Sequence, residues 1–221
     1  MKYIQIAVDG PAGAGKSTIA KLIAKELNYT YIDTGAMYRA ITLKAIENNI
    51  DLHDESKFDF IYSTAFRFDN GHIIMDGVDV SNRVRNNDVS NNASLVSSYL
   101  SVREQLVAVQ QKMANNQNVV MDGRDIGYKV LPDAPFKFFL TASIDERASR
   151  RHKDNIQRGI ESNIDTLRAE IARRDYLDTT REHSPLKPAS DAEIIDTSHL
   201  TIEQVVNLIT LRIREVENHG I

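Results

Sequence analysis

The 221-residue chain contains no cysteine and no tryptophan, and only five prolines and ten glycines. Without cysteine there are no disulfides and no cysteine–zinc sites, which fits a reducing cytoplasm. No apolar run approaches the roughly 20 residues that span a bilayer, so no membrane insertion is expected. The first residues, Tyr3-Ile4-Gln5-Ile6-Ala7-Val8, read as a short buried strand rather than a secretory leader. Neither sign of charge dominates: 27 Lys and Arg face 31 Asp and Glu, a net charge of −4. That balance argues against a general binder of nucleic acid or anionic membrane. The six histidines show no metal-ligand spacing, and no Ser-His-Asp or Cys-His arrangement stands out. Internal repeats and low-complexity segments are also absent. The 42% hydrophobic and 26% charged content is ordinary for a globular protein and suffices for one sizeable core.

Glycine is scarce, yet Gly10, Gly13 and Gly15 fall together in Gly10-Pro11-Ala12-Gly13-Ala14-Gly15-Lys16-Ser17. This stretch matches G-x-x-x-x-G-K-[ST] at every position. Its glycines let the backbone curl so that successive N–H groups face phosphate oxygens. Lys16 reaches the β- and γ-phosphates, and the Ser17 hydroxyl ligates Mg²⁺. A strand precedes the loop. Thr18 opens a stretch through Leu27 with apolar residues at helical spacing, so a helix N-terminus adds its dipole to the site. Strand, loop and helix together are the context the motif requires, and they predict ATP with Mg²⁺ as its ligand.

Strand candidates alternate with helical stretches over the rest of the chain. Strands are expected at Tyr29–Ile32, Asn118–Met121, Phe136–Leu140 and Glu193–Asp196. Helices are expected near Ala36–Asn48, Tyr99–Ala114, Ser143–Gln157, Ile164–Tyr176 and Ile202–Glu217. This alternation predicts an α/β fold, a parallel sheet with helices on both faces. Ligands of such sheets sit at the carboxyl ends of the strands, where Asp33, Asp122 and Ala142 are placed. One segment breaks the pattern. Phe66-Arg67-Phe68, His72-Ile73-Ile74-Met75 and Val78-Asp79-Val80 are separated by Asp69-Asn70-Gly71 and Asp76-Gly77, which predicts an inserted antiparallel meander. Pro185 and Pro188 mark a loop before the last strand.

Asp122 follows an apolar strand beside the loop, which suits a hold on Mg²⁺ through water; an ordinary strand-end aspartate capping a turn is the alternative. Arg124 suits bidentate phosphate binding; a surface pair with Asp125 is its alternative. Thr34 is expected to cap the following helix, whose N-terminus also favours an anionic acceptor. Arg39 lies one turn on and faces the same way as Gly35. From Arg147 to Arg181 nine positive residues, eight of them Arg, meet six acids, a local balance of 9 − 6 = +3 in a chain of net −4. Arginine suits the clamping of phosphoryl oxygens. Arg158-Gly159 sits between two helical stretches, as in a lid that excludes water.

These residues together resemble the bacterial cytidylate kinase family. The resemblance rests on Gly10–Ser17, on Asp33-Thr34-Gly35-Ala36-Met37-Tyr38-Arg39 and on Asp122-Gly123-Arg124-Asp125-Ile126-Gly127. Glu146-Arg147-Ala148-Ser149-Arg150-Arg151, Arg174-Asp175…Asp178…Arg181 and the meander extend it, and it runs from Tyr3 to about Val216. It implies a single P-loop kinase domain over 1–221, with an acceptor-binding insertion at approximately 40–102 and a short helical lid at approximately 151–167. It implies transfer of the γ-phosphoryl group of ATP to CMP or dCMP. Thr34, Arg39, Arg124 and Arg181 would hold the acceptor phosphate. Ser94, Arg103 and Asp125 would read cytosine, whose exocyclic amine is a donor that a carboxylate accepts, whereas uracil offers an acceptor there. Arg174 and Asp178 would contact the sugar. Lys16 and Arg124, with Arg147, Arg151 and Arg158 from the lid side, would act on the transferring phosphoryl. No general base is required for an acceptor that is already anionic. A monomer is the default expectation. The nearest rival is a kinase for UMP, AMP, dTMP or a small metabolite. A GTP-dependent switch is disfavoured, since neither D-x-x-G nor N-K-x-D occurs.

Overall fold

Short β-branched runs build the centre of the molecule. The structure, a computed structural model, describes residues 3–69, 71–157 and 159–218, with 217 and 218 described by backbone alone. In chain order it runs β1 (Gln5–Asp9), α1 (Lys16–Leu27), β2 (Thr30–Asp33), α2 (Thr34–Glu47) and a 3₁₀ segment (Glu55–Ser63). The small strands β3 (Phe66–Asp69), β4 (His72–Met75) and β5 (Val78–Asp79) follow, then a 3₁₀ turn (Arg83–Arg85), α3 (Asn87–Val96) and α4 (Leu100–Ala114). The second half holds β6 (Val119–Gly123), a π-helical turn (Ile126–Val130), β7 (Phe136–Thr141), α5 (Ile144–Gln157), α6 (Ile164–Thr180), β8 (Glu193–Asp196) and α7 (Ile202–Asn218).

Strands β2-β6-β1-β7-β8 form one parallel sheet, and β3-β4-β5 form a separate antiparallel one. The period-2 alternation of a strand sends its side chains to opposite faces. Ile6 and Val8 of β1 pack with Ile19 and Ile23 of α1 and Ile209 of α7. Ala7 between them joins Val107 of α4, Met121 and Val130 on the other face. The sheet is therefore covered on both faces, as the alternation of elements predicts. A further cluster joins Met37 and Ile41 of α2 to Phe58, Ile73 of β4, Val89 of α3 and Leu106 of α4. The inserted meander is thus anchored to α2, not free of the core.

Three features lie outside the sequence expectations. Helix α3 is polar and rich in asparagine, which weakens intrinsic helix propensity, but Val89, Ala93 and Val96 sit one turn apart and are buried. The 3₁₀ segment and the π-helical turn have no periodicity to reveal them. Helix α2 begins at Thr34, two residues earlier than expected. Its cap is Asp33, whose side chain accepts from Ala36 N at 2.8 Å, so the expected Thr34 cap is corrected. Asp33 can cap because it ends β2 in an extended conformation.

Candidate active site

The phosphate loop leaves β1 at Gly10, whose φ is +144°, and a Cβ there would lie 2.0 Å from the backbone oxygen of Leu140 in β7. Only glycine lets the loop begin this close to the neighbouring strand. Lys16, in the first turn of α1, is buried and its Nζ donates to Pro11 O at 2.7 Å. Burial first, and then the charge of Arg124, push its pKa well below the ordinary lysine value. Ser17 Oγ donates to Asp122 Oδ2 at 2.7 Å, and Tyr31 OH donates to Asp122 Oδ1 at 2.7 Å. Asp122 is buried, which raises its pKa despite those two bonds and Lys16. A buried lysine and a buried carboxylate, each pushed toward its neutral form beside a glycine-rich loop, mark a candidate functional site.

The other side of the site is built at the carboxyl ends of β2 and β6. Thr34 Oγ1 donates to Asp122 O at 2.7 Å, across Gly123, where a Cβ would come within 2.7 Å of that hydroxyl. Arg39 pairs with Asp33 at 3.1 Å. Arg124 Nε donates to Asp178 Oδ2 at 2.8 Å, tying β6 to α6. Arg103 of α4 is fully enclosed. It donates to Ser97 O at 2.9 Å and pairs through Nη2 with Asp125, while its guanidinium lies 5.3 Å from the Tyr38 ring centroid. These residues, with Ser94, Arg151, Arg174 and Arg181, line one cavity of about 230 Å³ that reaches Gly13, Lys16 and Ser17. Arg39 Nε, Arg103 Nε, Arg174 Nε and Arg181 Nη2 are buried in this arrangement with no hydrogen-bond partner among the described residues. Burial, and then the nearby Arg124, lower the pKa of Arg174 to about 10. Burial, and then Arg103, lower that of Arg181 as well. The pKa of Asp178 is lowered too: burial works to raise it, but Arg124, Arg174 and Arg181 hold it below the usual carboxylate value. Cations crowded together with unmet donors form a receptor for a polyanion.

A second, wider cleft of about 1420 Å³ opens on the other side of the loop. Gly13, Gly15, Ser17 and Thr18 form its floor, with Arg150 and Arg151 on one wall and Thr201 and Val205 on the other. Two clefts meeting at one phosphate loop are what a donor and an acceptor nucleotide need.

The cytidylate kinase family model matches residues 6–215. The chain belongs to the cytidylate kinase family. A cytidylate kinase of Enterococcus faecalis is 54% identical over 214 residues, covering 95% of each chain. One of Streptococcus gordonii is 50% identical over 222 residues, 98% of this chain and 99% of the relative. Among solved structures, an uncharacterised Eubacterium ventriosum protein matches with a TM-score of 0.52 at 14% identity, over 96% of this chain and 98% of the other; this likeness concerns the fold alone.

For this member of the cytidylate kinase family the structure sorts the expected residues. The loop from Gly10 through Pro11, Ala12, Gly13, Ala14, Gly15, Lys16 and Ser17 leads straight into α1, where Thr18 follows. Thr34, Arg39, Ser94, Arg103, Arg124, Asp125, Arg174, Asp178 and Arg181 come together in the smaller cavity, although they are drawn from four helices and from the turns after β6 and α6. Arg151 faces both clefts. Arg147 is placed differently from expectation. It is buried, and its guanidinium donates to Ala142 O, Ala12 O and both Asp175 oxygens at 2.6–3.0 Å. It braces the underside of the phosphate loop, because α5 starts directly beneath Gly13. Arg158 lies outside the described residues.

Four residues were not singled out from sequence. Tyr31 holds Asp122, Tyr38 lies against Arg103, Asp9 bonds the backbone of Ile126 and Gly127, and Thr197 Oγ1 accepts from Arg150 at 3.0 Å beside the wider cleft. Their roles come from partners distant in the chain, so no local spacing announces them. Only the position of Asp9, directly before the loop, is a sequence cue.

Proposed function

We propose that the chain transfers the γ-phosphoryl group of ATP to CMP or dCMP, giving ADP and the pyrimidine nucleoside diphosphate. The observation that carries this is the Arg103–Asp125 pair at one end of an arginine-lined cavity whose other end is the phosphate loop. ATP lies in the wider cleft with its phosphates on the loop. The acceptor lies in the smaller one with its phosphate toward Arg39, Arg124 and Arg181 and its base toward Ser94, Arg103 and Asp125. Asp125 accepts from the exocyclic amine of cytosine, and a uracil carbonyl at that point meets a carboxylate instead. Arg174 is crowded by Arg124, Arg39 and Arg151, so we place it nearer the phosphates than the sugar, which is left to Asp178.

No covalent intermediate is needed. The acceptor oxygen is held in line with the γ-phosphorus by groups on both sides. Lys16, Arg124 and Arg151 spread the charge that develops on the equatorial oxygens. Arg158 belongs to the same group by sequence. Ser17, and Asp122 through water, are the residues that would hold Mg²⁺, which when bound neutralises the β- and γ-phosphate oxygens. They fit it: Ser17 Oγ keeps lone pairs after donating to Asp122, and the buried Asp122 carboxylate lies directly beside it, with Tyr31 OH on its other oxygen. Residues 40–102 serve as the acceptor-binding insertion of a single domain, and 151–167 as its lid. Because one chain carries every residue invoked, we treat a cytoplasmic monomer acting on free mononucleotides as the working unit.

ADP formation from Mg·ATP with CMP, dCMP, UMP, AMP and dTMP offered separately tests the reading. Fast turnover confined mainly to CMP and dCMP is expected. Equal turnover of UMP would remove Asp125 as the base reader, and turnover of AMP alone would move the protein to another acceptor.

A further inference from the structure

The π-helical turn Ile126–Val130 lies between the residues that read the acceptor and the loop that holds the donor. Such turns are rare and need outside support, since their i→i+5 geometry is less favourable than that of an α-helix. Support comes from two sides. Asp9, the last residue of β1 and the neighbour of Gly10, is buried at 3% exposure, and its two oxygens accept from Ile126 N at 2.9 Å and Gly127 N at 2.7 Å. Both oxygens are therefore committed to the two peptide groups that directly follow Asp125. On the other side, Tyr128 OH donates to Pro185 O, and Lys187 Nζ stands 5.1 Å from the Tyr128 ring centroid. The loop so held is also tied to the acceptor residues: Arg181 Nε donates to Ser184 O at 2.6 Å, and Leu186 N donates to Asp178 O at 2.7 Å. Arg181 Nη2 is buried in the acceptor cavity and has no hydrogen-bond partner among the described residues.

We infer that Asp9 and Tyr128 are positioning residues, acting through the π-helical turn to fix Asp125 against the base and Arg181 against the acceptor phosphate. Asp9 registers the base-reading carboxylate to the start of the phosphate loop. Tyr128 sets the 182–188 loop, and so the direction of the Arg181 guanidinium. Neither touches substrate. The inference rests on the acceptor roles proposed above for Asp125 and Arg181.

Steady-state kinetics of Tyr128→Phe, Asp9→Asn, Arg181→Lys and the double variant Tyr128→Phe/Arg181→Lys test it, with melting temperature measured for each. Tyr128→Phe keeps the ring and removes one hydrogen bond. It is expected to raise KM for CMP by about fivefold to tenfold while KM for ATP stays within about twofold. In the Arg181→Lys background the same change is expected to add less than about twofold, because it acts through Arg181. Asp9→Asn presents an amide N–H₂ to one of the two peptide donors, and is expected to lower the CMP-to-UMP ratio of kcat/KM by about tenfold. An unchanged KM for CMP in Tyr128→Phe overturns the inference. So does an equal rise in KM for both substrates with an unchanged CMP-to-UMP ratio in Asp9→Asn, which is general loosening. If Arg181→Lys itself leaves KM for CMP unaltered, the acceptor reading fails and the inference falls with it; if only the Tyr128 and Asp9 variants are silent, the inference alone fails.

Discussion

Lys16 is a charge that the fold has taken out of water. It is buried, it donates to Pro11 O, and its neighbours include Arg124 and Arg174. Such a group is tolerated because an anion completes its surroundings. Lys16→Ala removes a donor to the transferring phosphoryl and is expected to lower kcat/KM at least ~10²-fold for any acceptor. Circular dichroism should remain that of the parent; near-normal turnover would take Lys16 out of the mechanism. Asp125 makes a different argument. Its carboxylate is paired with Arg103 inside the cavity, and Tyr38 lies against that arginine. Asp125→Asn replaces an acceptor with a group that also donates, so the CMP-over-UMP preference in kcat/KM should shrink by about tenfold or more. A constant ratio across both enzymes would assign base reading to another residue.

At the level of elements, the site depends on how helices begin. Asp33 ends β2, caps α2 through Ala36 N, and pairs with Arg39 one turn along. Asp33→Ala is expected to cost about 1 kcal/mol through the cap, lowering Tm by roughly 2–4 °C in a chain of this size. Thermal unfolding checks it, and no change in Tm would mean that Thr34 can take over the cap. The sequence placed α1 and the phosphate loop because their signals are local: a strand, a glycine-rich turn, then helix formers. It missed α3, whose run of asparagines reads as loop, although Val89, Ala93 and Val96 are spaced for a buried face. It also gave Thr34 the cap, since a threonine before apolar residues and an aspartate one position earlier are equally plausible caps. The extended backbone of Asp33 settles which is used.

Across the whole molecule, contacts between distant parts hold the acceptor cavity together, among them that of Arg124, directly after β6, with Asp178 of α6. The native pKa of Asp178 lies below its ordinary value of 3.8. Above about pH 4 the carboxylate is ionised in folded and unfolded chains alike, and its stabilisation is fully present. As pH falls through that region the unfolded chain takes up the proton first, and the contribution fades as the native pKa is passed. Asp178→Asn should therefore cost about 2 kcal/mol at neutral pH, and the gap in Tm between parent and variant should close below pH 4. A gap that stays constant to pH 3 would show that the ionised form is not what stabilises the contact. The sequence alone determined the α/β class, the phosphate loop and the inserted meander, because periodicity, turn chemistry and motif spacing are properties of neighbouring residues. Tertiary structure alone decided which arginines are free to act. Arg147 and Arg174 stand in the same basic stretch, but α5 brings Arg147 under the loop, where two backbone carbonyls and both Asp175 oxygens satisfy it, whereas Arg174 is buried in the cavity with a donor that finds no partner among the described residues. Whether a charged side chain braces the fold or waits for a ligand depends on the partners that packing supplies, and those partners are remote in the chain.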